Sequence, residues 1–181
     1  MKEVDVIGLI DKYYAENGPL RHILVAHSTS VAEKAVAVAR QHSELGADEA
    51  FLYEAAMLHD IGIYLCDASG ICCYGTAPYI CHGILGARLL REEGLERHAR
   101  VAERHTGTGI TIDAIQRQNL PLPLRDYSPE TIEEQIICYA DKFFSKTRLE
   151  QEKTPEQVLK SLVKFGPESV ERMRQWMAVL G

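Results

Sequence analysis

The sequence predicts an all-α protein folded as a single domain over residues 1–181. Three observations predict it. Apolar residues recur at helical spacing along almost the whole chain, helix-capping residues and Gly or Pro punctuate those runs at regular intervals, and no stretch alternates apolar and polar residues as a strand would. Seven or eight helices fit this pattern.

Val4, Ile7, Leu9 and Ile10 suggest a short first helix, ended by Asn17-Gly18-Pro19. A second helix is expected from Leu20 to about Glu44, with Val31, Ala35, Val38 and Ala39 facing inward. Asp48 caps a third, whose Ala50, Leu52, Ala55, Ala56, Leu58 and His59 share an inward sector. The segment from Cys66 to Ala77, with Gly70 and Gly75, reads as a loop. Pro78 then opens a helix that runs to about Gly94 and carries His82 near its start. A fifth helix, Leu95 to about Arg104, delivers His105 at its end, where Gly107 and Gly109 stop regular structure.

Prolines at 121, 123 and 129 mark a surface excursion. Ser128-Pro129-Glu130 reads as the start of a long helix carrying Ile132, Ile136, Ala140 and Asp141, since a hydroxyl, a proline and an acid all suit a helix N-terminus. Thr154-Pro155-Glu156-Gln157 is a capping box, and Gly166-Pro167 separates its helix from a last one through Trp176.

The net charge of −6 argues against broad binding to nucleic acid, while leaving room for a small anionic ligand. Charges at Lys2, Glu3, Asp5, Asp11 and Lys12 interrupt the N-terminal segment, so neither a signal peptide nor a membrane span is expected there and the location predicted is cytoplasmic. The five cysteines form no CxxC pair and read as free thiols.

The chemistry lies in polar residues set into apolar runs. In AAMLHDIGIY, His59 and Asp60 follow an apolar helix directly. Composition alone gives about 0.3 such dipeptides, so the pair needs support. His27, His82 and Asp141 provide it, each interrupting an apolar helical run, and His105 stands at a helix end. Unpaired buried polar groups are costly, and a shared divalent ion offsets that cost, because imidazole and carboxylate are natural ligands for zinc, iron or manganese. Taken singly, each histidine is more simply a hydrogen-bonded structural residue. His42 and His98, among polar neighbours, read as solvated, and His22 points away from His27.

This order of residues resembles the HD-domain superfamily of metal-dependent phosphohydrolases: His27, then His59-Asp60 with Ile61-Gly62, then Asp141, over about residues 20–150. The resemblance implies an HD-type helical bundle with a metal site in its core, the helices of 154–180 packing on it. It also implies that His27, His59, Asp60 and Asp141 bind a first metal, and that His82, His105 and a bridging Asp60 hold a second. Together with HTGTG at 105–109, the pattern is most similar to the two-metal branch that includes symmetrical diadenosine-tetraphosphate hydrolases. Ile63 stands where several relatives carry Lys or another polar residue.

The expected reaction is hydrolysis of a phosphoester or phosphoanhydride in a nucleotide or dinucleoside polyphosphate, with two divalent ions (Fe, Mn, Ni, Co or Zn) and Asp60 handling the water. A single-metal nucleotidase and an HD-type di-iron oxygenase are the alternatives. A regulatory module without turnover is a third. The partner is a small phosphorylated molecule, and a homodimer is compatible with the sequence. Lys142 is the first choice for a catalytic cation, ahead of Lys146, one turn further along the same expected helix, and of Arg88 and Arg104. Thr106 to Gly109 are candidates to contact phosphate, and Tyr64, Tyr74 and Tyr79 to stack on a base.

Overall fold

Side chains supplied by the sequence close the first turns of the main helices. Asn17 accepts from the Leu20 N–H, Asp48 from Phe51, and Thr154 from Gln157, whose side chain returns the bond. Each satisfies amide groups that a helix start otherwise leaves unpaired. The structure, a computed structural model, describes residues 4–149 and 151–181.

Among the described residues there are nine α-helices: α1 (Val6–Tyr14), α2 (Gly18–Gln41), α3 (Glu49–Leu58), α4 (His82–Glu92), α5 (Glu96–Arg104), α6 (Ile112–Gln118), α7 (Ile132–Asp141), α8 (Pro155–Leu162) and α9 (Pro167–Leu180). The segment read as a loop after Cys66 contains a small antiparallel hairpin, β1 (Asp67–Ala68) with β2 (Cys73–Tyr74). The class remains all-α.

Several boundaries differ from expectation for local reasons. α2 stops at Gln41 rather than near Glu44, and a single 3-10 turn, Ser43–Leu45, carries the chain to Gly46 at φ 65°. The cap of α7 is Thr131, three residues after Ser128, because Thr131 and Glu134 form a complete capping box, whereas Ser128 gives its carbonyl to Arg104. Glu130 stays outside the helix, paired with Arg100 and Arg104. The short α6 was not expected. It follows two glycines, is capped by Thr111 and ends at Asn119 in the left-handed region.

One large apolar cluster runs from Val6 to Leu180, with α2 packed on α3 and α7, and α4 on α5. Of the inward residues expected on α3, Ala50 is exposed and the others are buried. A satellite cluster of Ile110, Ala114, Ile115 and Tyr127 lies beneath the proline-rich excursion. The five cysteines are free. Among the described residues no helix is long and apolar enough to cross a membrane.

Candidate metal centre

His27 continues the buried stripe Leu20, Leu24, Val31 and Ala35 of α2, so the spacing that builds the core also points its imidazole inward. His59 caps the C-terminus of α3, Asp60 follows it, and Asp141 is the last residue of α7. All four are buried and meet at one point. His27 Nε2 lies 2.9 Å from Asp141 Oδ1 and 3.3 Å from Asp60 Oδ2; His59 Nε2 lies 3.0 Å from Asp60 Oδ2 and 3.4 Å from Asp141 Oδ1.

The other oxygen of Asp60 faces a second group. His82, at the start of α4, and His105, at the end of α5, place Nε2 atoms 3.3 and 3.4 Å from Asp60 Oδ1. Those two nitrogens are 3.0 Å apart. Asp60 therefore belongs to both groups, one oxygen to each.

Three of the imidazoles are oriented from behind. Nδ1 of His59, His82 and His105 donates to the carbonyl of Ala56, Tyr79 and Ala102, each three residues back, at 2.5, 2.6 and 2.7 Å. With the proton on Nδ1, a neutral ring turns an unprotonated Nε2 into the cluster, the arrangement that metal-binding histidines adopt. The His82 and His105 nitrogens then face each other lone pair to lone pair, a repulsive contact unless positive charge lies between them. His59 Nε2 and both Asp60 oxygens are buried without an aligned hydrogen bond. Atoms held roughly 2.0–2.2 Å from a common ion lie roughly 3.0–3.5 Å from one another, which matches the separations seen. The residues present fit divalent cations.

The electrostatics divide the histidines. Burial would disfavour a charged His59, yet the Asp60 and Asp141 carboxylates outweigh it and lift its pKa to about 9. Burial keeps His82 neutral, with a pKa pushed down to about 3, and also lowers His105. Burial would raise both acids, but His59 and Lys146 hold Asp60, and Lys142 and His27 hold Asp141, well below the usual carboxylate range. Both carboxylates are thus held ionised at the cluster.

A cleft of roughly 470 Å³ opens over these residues. Lys142 Nζ meets Asp141 Oδ2 at 2.5 Å and donates to the His105 carbonyl at 3.1 Å. Lys146 lies beyond the end of α7, not one turn along it, and its ammonium is 2.5 Å from Asp60 Oδ2. Tyr79 also lines the cleft, stacked on His82 at 4.7 Å between ring centres.

Other candidates lie elsewhere. Arg88 is exposed on α4, and Arg104 is held by Ser128 and Glu130. Tyr64 packs on Tyr13 and Tyr14, and Tyr74 is 72% exposed. Thr106 and Gly107 border the cleft, whereas Thr108 is buried against Ser169 and Gly109 lies against Ser128. His98 is not solvated: it is buried beside Phe51 and 3.2 Å from Glu54, on the same helical stripe as Ala102. His42, too, is largely covered, with only 18% of its side chain exposed. Sequence reasoning gave no role to Lys153 and Lys164, which also line the cleft, because neither lies near a motif.

Residues 24–145 match the HD domain. The chain belongs to the HD-domain family. This HD-domain chain is 31% identical over 180 residues to a tRNA (cytidine(56)-2'-O)-methyltransferase of Thermoplasma volcanium, covering 98% of the chain and 47% of that protein. It is 34% identical over 128 residues to the protein of that name from Picrophilus torridus, covering 70% of the chain and 33% of that protein. The chain spans less than half the length of these two relatives. MJ0778, an uncharacterized protein of Methanocaldococcus jannaschii, is 34% identical over 154 residues, 83% of each chain. The HD domain of the L. monocytogenes phosphodiesterase PgpH shares the fold, with a TM-score of 0.54 at 19% identity over 92% of this chain and 93% of that one. Its complex with cyclic-di-AMP gives 0.53 at 18% identity, over 93% and 92%.

Proposed function

We propose that this HD-domain protein is a metal-dependent phosphohydrolase that cleaves a phosphoester or phosphoanhydride of a nucleotide or dinucleoside polyphosphate. The observation that carries this reading is the division of the Asp60 carboxylate between two donor groups. His27, His59, Asp60 and Asp141 would hold one divalent ion, and Asp60, His82 and His105 another. Iron, manganese, nickel, cobalt and zinc all suit such imidazole and carboxylate donors. When bound, two ions supply Lewis acidity toward a phosphoryl oxygen and lower the pKa of water.

The chain's own residues do the rest. Asp60, fully buried between the two groups, orients the attacking water. Lys142, fixed between Asp141 and the His105 carbonyl, holds a phosphate oxygen of the substrate at the mouth of the cluster. Lys146 adds a second positive charge next to Asp60. The wall formed by Tyr79 and His82 excludes water from that side.

A nucleotide is favoured by the lysine-lined cleft, and the PgpH HD domain, of the same fold, was solved with cyclic-di-AMP. The lysines also favour a phosphorylated substrate over the oxygen chemistry that similar ligands support. Nothing in the donor set calls for methyl transfer, and the match covers less than half of either methyltransferase relative.

The test joins elemental analysis of anaerobically prepared protein to a hydrolysis screen over mononucleotides and dinucleoside polyphosphates, read both as free phosphate and as nucleotide products. Two ions per chain with hydrolysis are expected. One ion with full activity would favour the single-metal nucleotidase, and oxygen consumption without hydrolysis would sink the hydrolase reading.

A further inference from the structure

The four lysines lining the cleft are of two kinds. Lys142 and Lys146 each meet a carboxylate of the cluster. Lys153 and Lys164 have no carboxylate partner among the described residues. Lys153 is half-buried and donates to the carbonyls of Lys142 and Phe144, at 3.1 Å each, which leaves one of its three ammonium protons unused. Lys164 is exposed, and its ammonium lies 5.1 Å from the centre of the Phe165 ring.

Unpaired ammonium groups concentrated on one concave surface create a positive field there, in a chain whose net charge is −6. A second cavity, of roughly 720 Å³, shares Ser145, Thr147 and Lys153 with the first. Its lining includes Arg148, which also has no carboxylate partner among the described residues, and Glu152, which pairs with Lys34. Lys153 thus stands where the two cavities meet.

We propose that Lys153 and Lys164 form a second anion-binding position next to the His/Asp cluster, and that the substrate is an oligophosphate compound with one phosphate at the cluster and its neighbour on these two ammonium groups. The first position rests on the phosphohydrolase reading. The second rests on charge and shape alone. A monophosphate fills only one of them, whereas a phosphate chain fills both and directs the rest of the molecule past Lys153 toward the second cavity.

Calorimetric titration of metal-loaded, desalted protein with inorganic orthophosphate and tripolyphosphate tests this. Tripolyphosphate should bind at least about tenfold tighter than orthophosphate. Lys164→Gln should weaken tripolyphosphate about fivefold and leave orthophosphate unchanged, the size expected of one exposed charge. Lys160→Gln removes the same charge from an exposed position outside the cleft and should change neither. Lys153→Gln should act like Lys164→Gln; because Lys153 also ties two backbone carbonyls, the exposed Lys164 decides the matter if that variant does not fold. Equal losses in the Lys160 and Lys164 variants, or no preference for tripolyphosphate, would overturn the proposal. Hydrolysis of bis(p-nitrophenyl) phosphate by metal-loaded protein reads the cluster separately. Turnover there without Lys164-dependent tripolyphosphate binding removes the second position and keeps the hydrolase; Lys164-dependent binding with no turnover of this ester or of any nucleotide in the screen supports the second position and removes the hydrolase.

Discussion

A Cβ on Gly62 would lie 2.4 Å from the carbonyl oxygen of His82 and 2.4 Å from the amide nitrogen of Gly86. Gly62 has φ −85° and ψ −3°, angles open to any residue, so close approach rather than backbone freedom requires glycine here. The start of α4 rests directly on the turn that carries Asp60. A Cβ on Gly83 would likewise meet the Ala102 carbonyl of α5 at 2.6 Å, so α4 also lies close to the helix that delivers His105.

Gly62→Ala is therefore expected to destabilise the protein by about 1–3 kcal/mol, as overpacking does, and to move His82 away from Asp60. The second ion should be lost before the first. Thermal unfolding with metal counting checks this, and retention of two ions would show that His82 is placed by something else.

Metal content should follow the two donor groups. The wild-type chain should carry two ions and the His82→Gln/His105→Gln double variant one. Asp60→Asn, which alters the shared carboxylate, should weaken both sites, and His59→Ala should abolish turnover while the fold is retained. Elemental analysis after dialysis, with circular dichroism for the fold, distinguishes these outcomes.

Lys142→Gln is expected to lower kcat/KM by about a hundredfold, the usual effect of removing one donor from a developing negative charge. Arg88→Gln, altering an exposed side chain of α4, should leave kinetics unchanged. Steady-state assays on whichever nucleotide the screen identifies will show whether the two variants differ.

The metal-free protein should show opposing pH limbs. His82 titrates near 3 in the fold and near 6.5 when unfolded, so the unfolded chain binds more protons between those values. Its contribution is complete above 6.5 and is lost as pH falls toward 3. His59, raised to about 9, contributes fully below 6.5 and loses its contribution as pH rises toward 9. Denaturation midpoints from about pH 4 to about pH 9 should therefore peak near the unfolded histidine value. His82→Gln should flatten the acid limb and His59→Gln the alkaline one. An unchanged acid limb in His82→Gln would contradict a buried neutral imidazole.

Much of this site was legible before any coordinates. His27 stands among apolar residues at helical spacing, His59 and Asp60 directly follow an apolar run, and helix-stopping glycines mark His105 as terminal. His98 was misread because its neighbours Arg97 and Arg100 were weighed more heavily than the stripe it shares with Ala102. Lys146 was placed on a continuing helix, but α7 ends at Asp141 and the turn that follows brings the ammonium back to Asp60. α6 was missed because a seven-residue helix after two glycines carries too few turns for periodicity to register.

The sequence by itself determined the helical class, the caps and the set of polar side chains committed to apolar faces, since all three depend on spacing over a few residues and a fixed helical turn. Only the tertiary structure decided that one Asp60 oxygen faces His27 and His59 while the other faces His82 and His105, and that Lys142, Lys146, Lys153 and Lys164 line a single cleft. Those relationships are distances of a few ångströms between elements far apart in the chain. Close packing, such as that of Gly62 against α4, sets them, and no periodicity along the sequence encodes them.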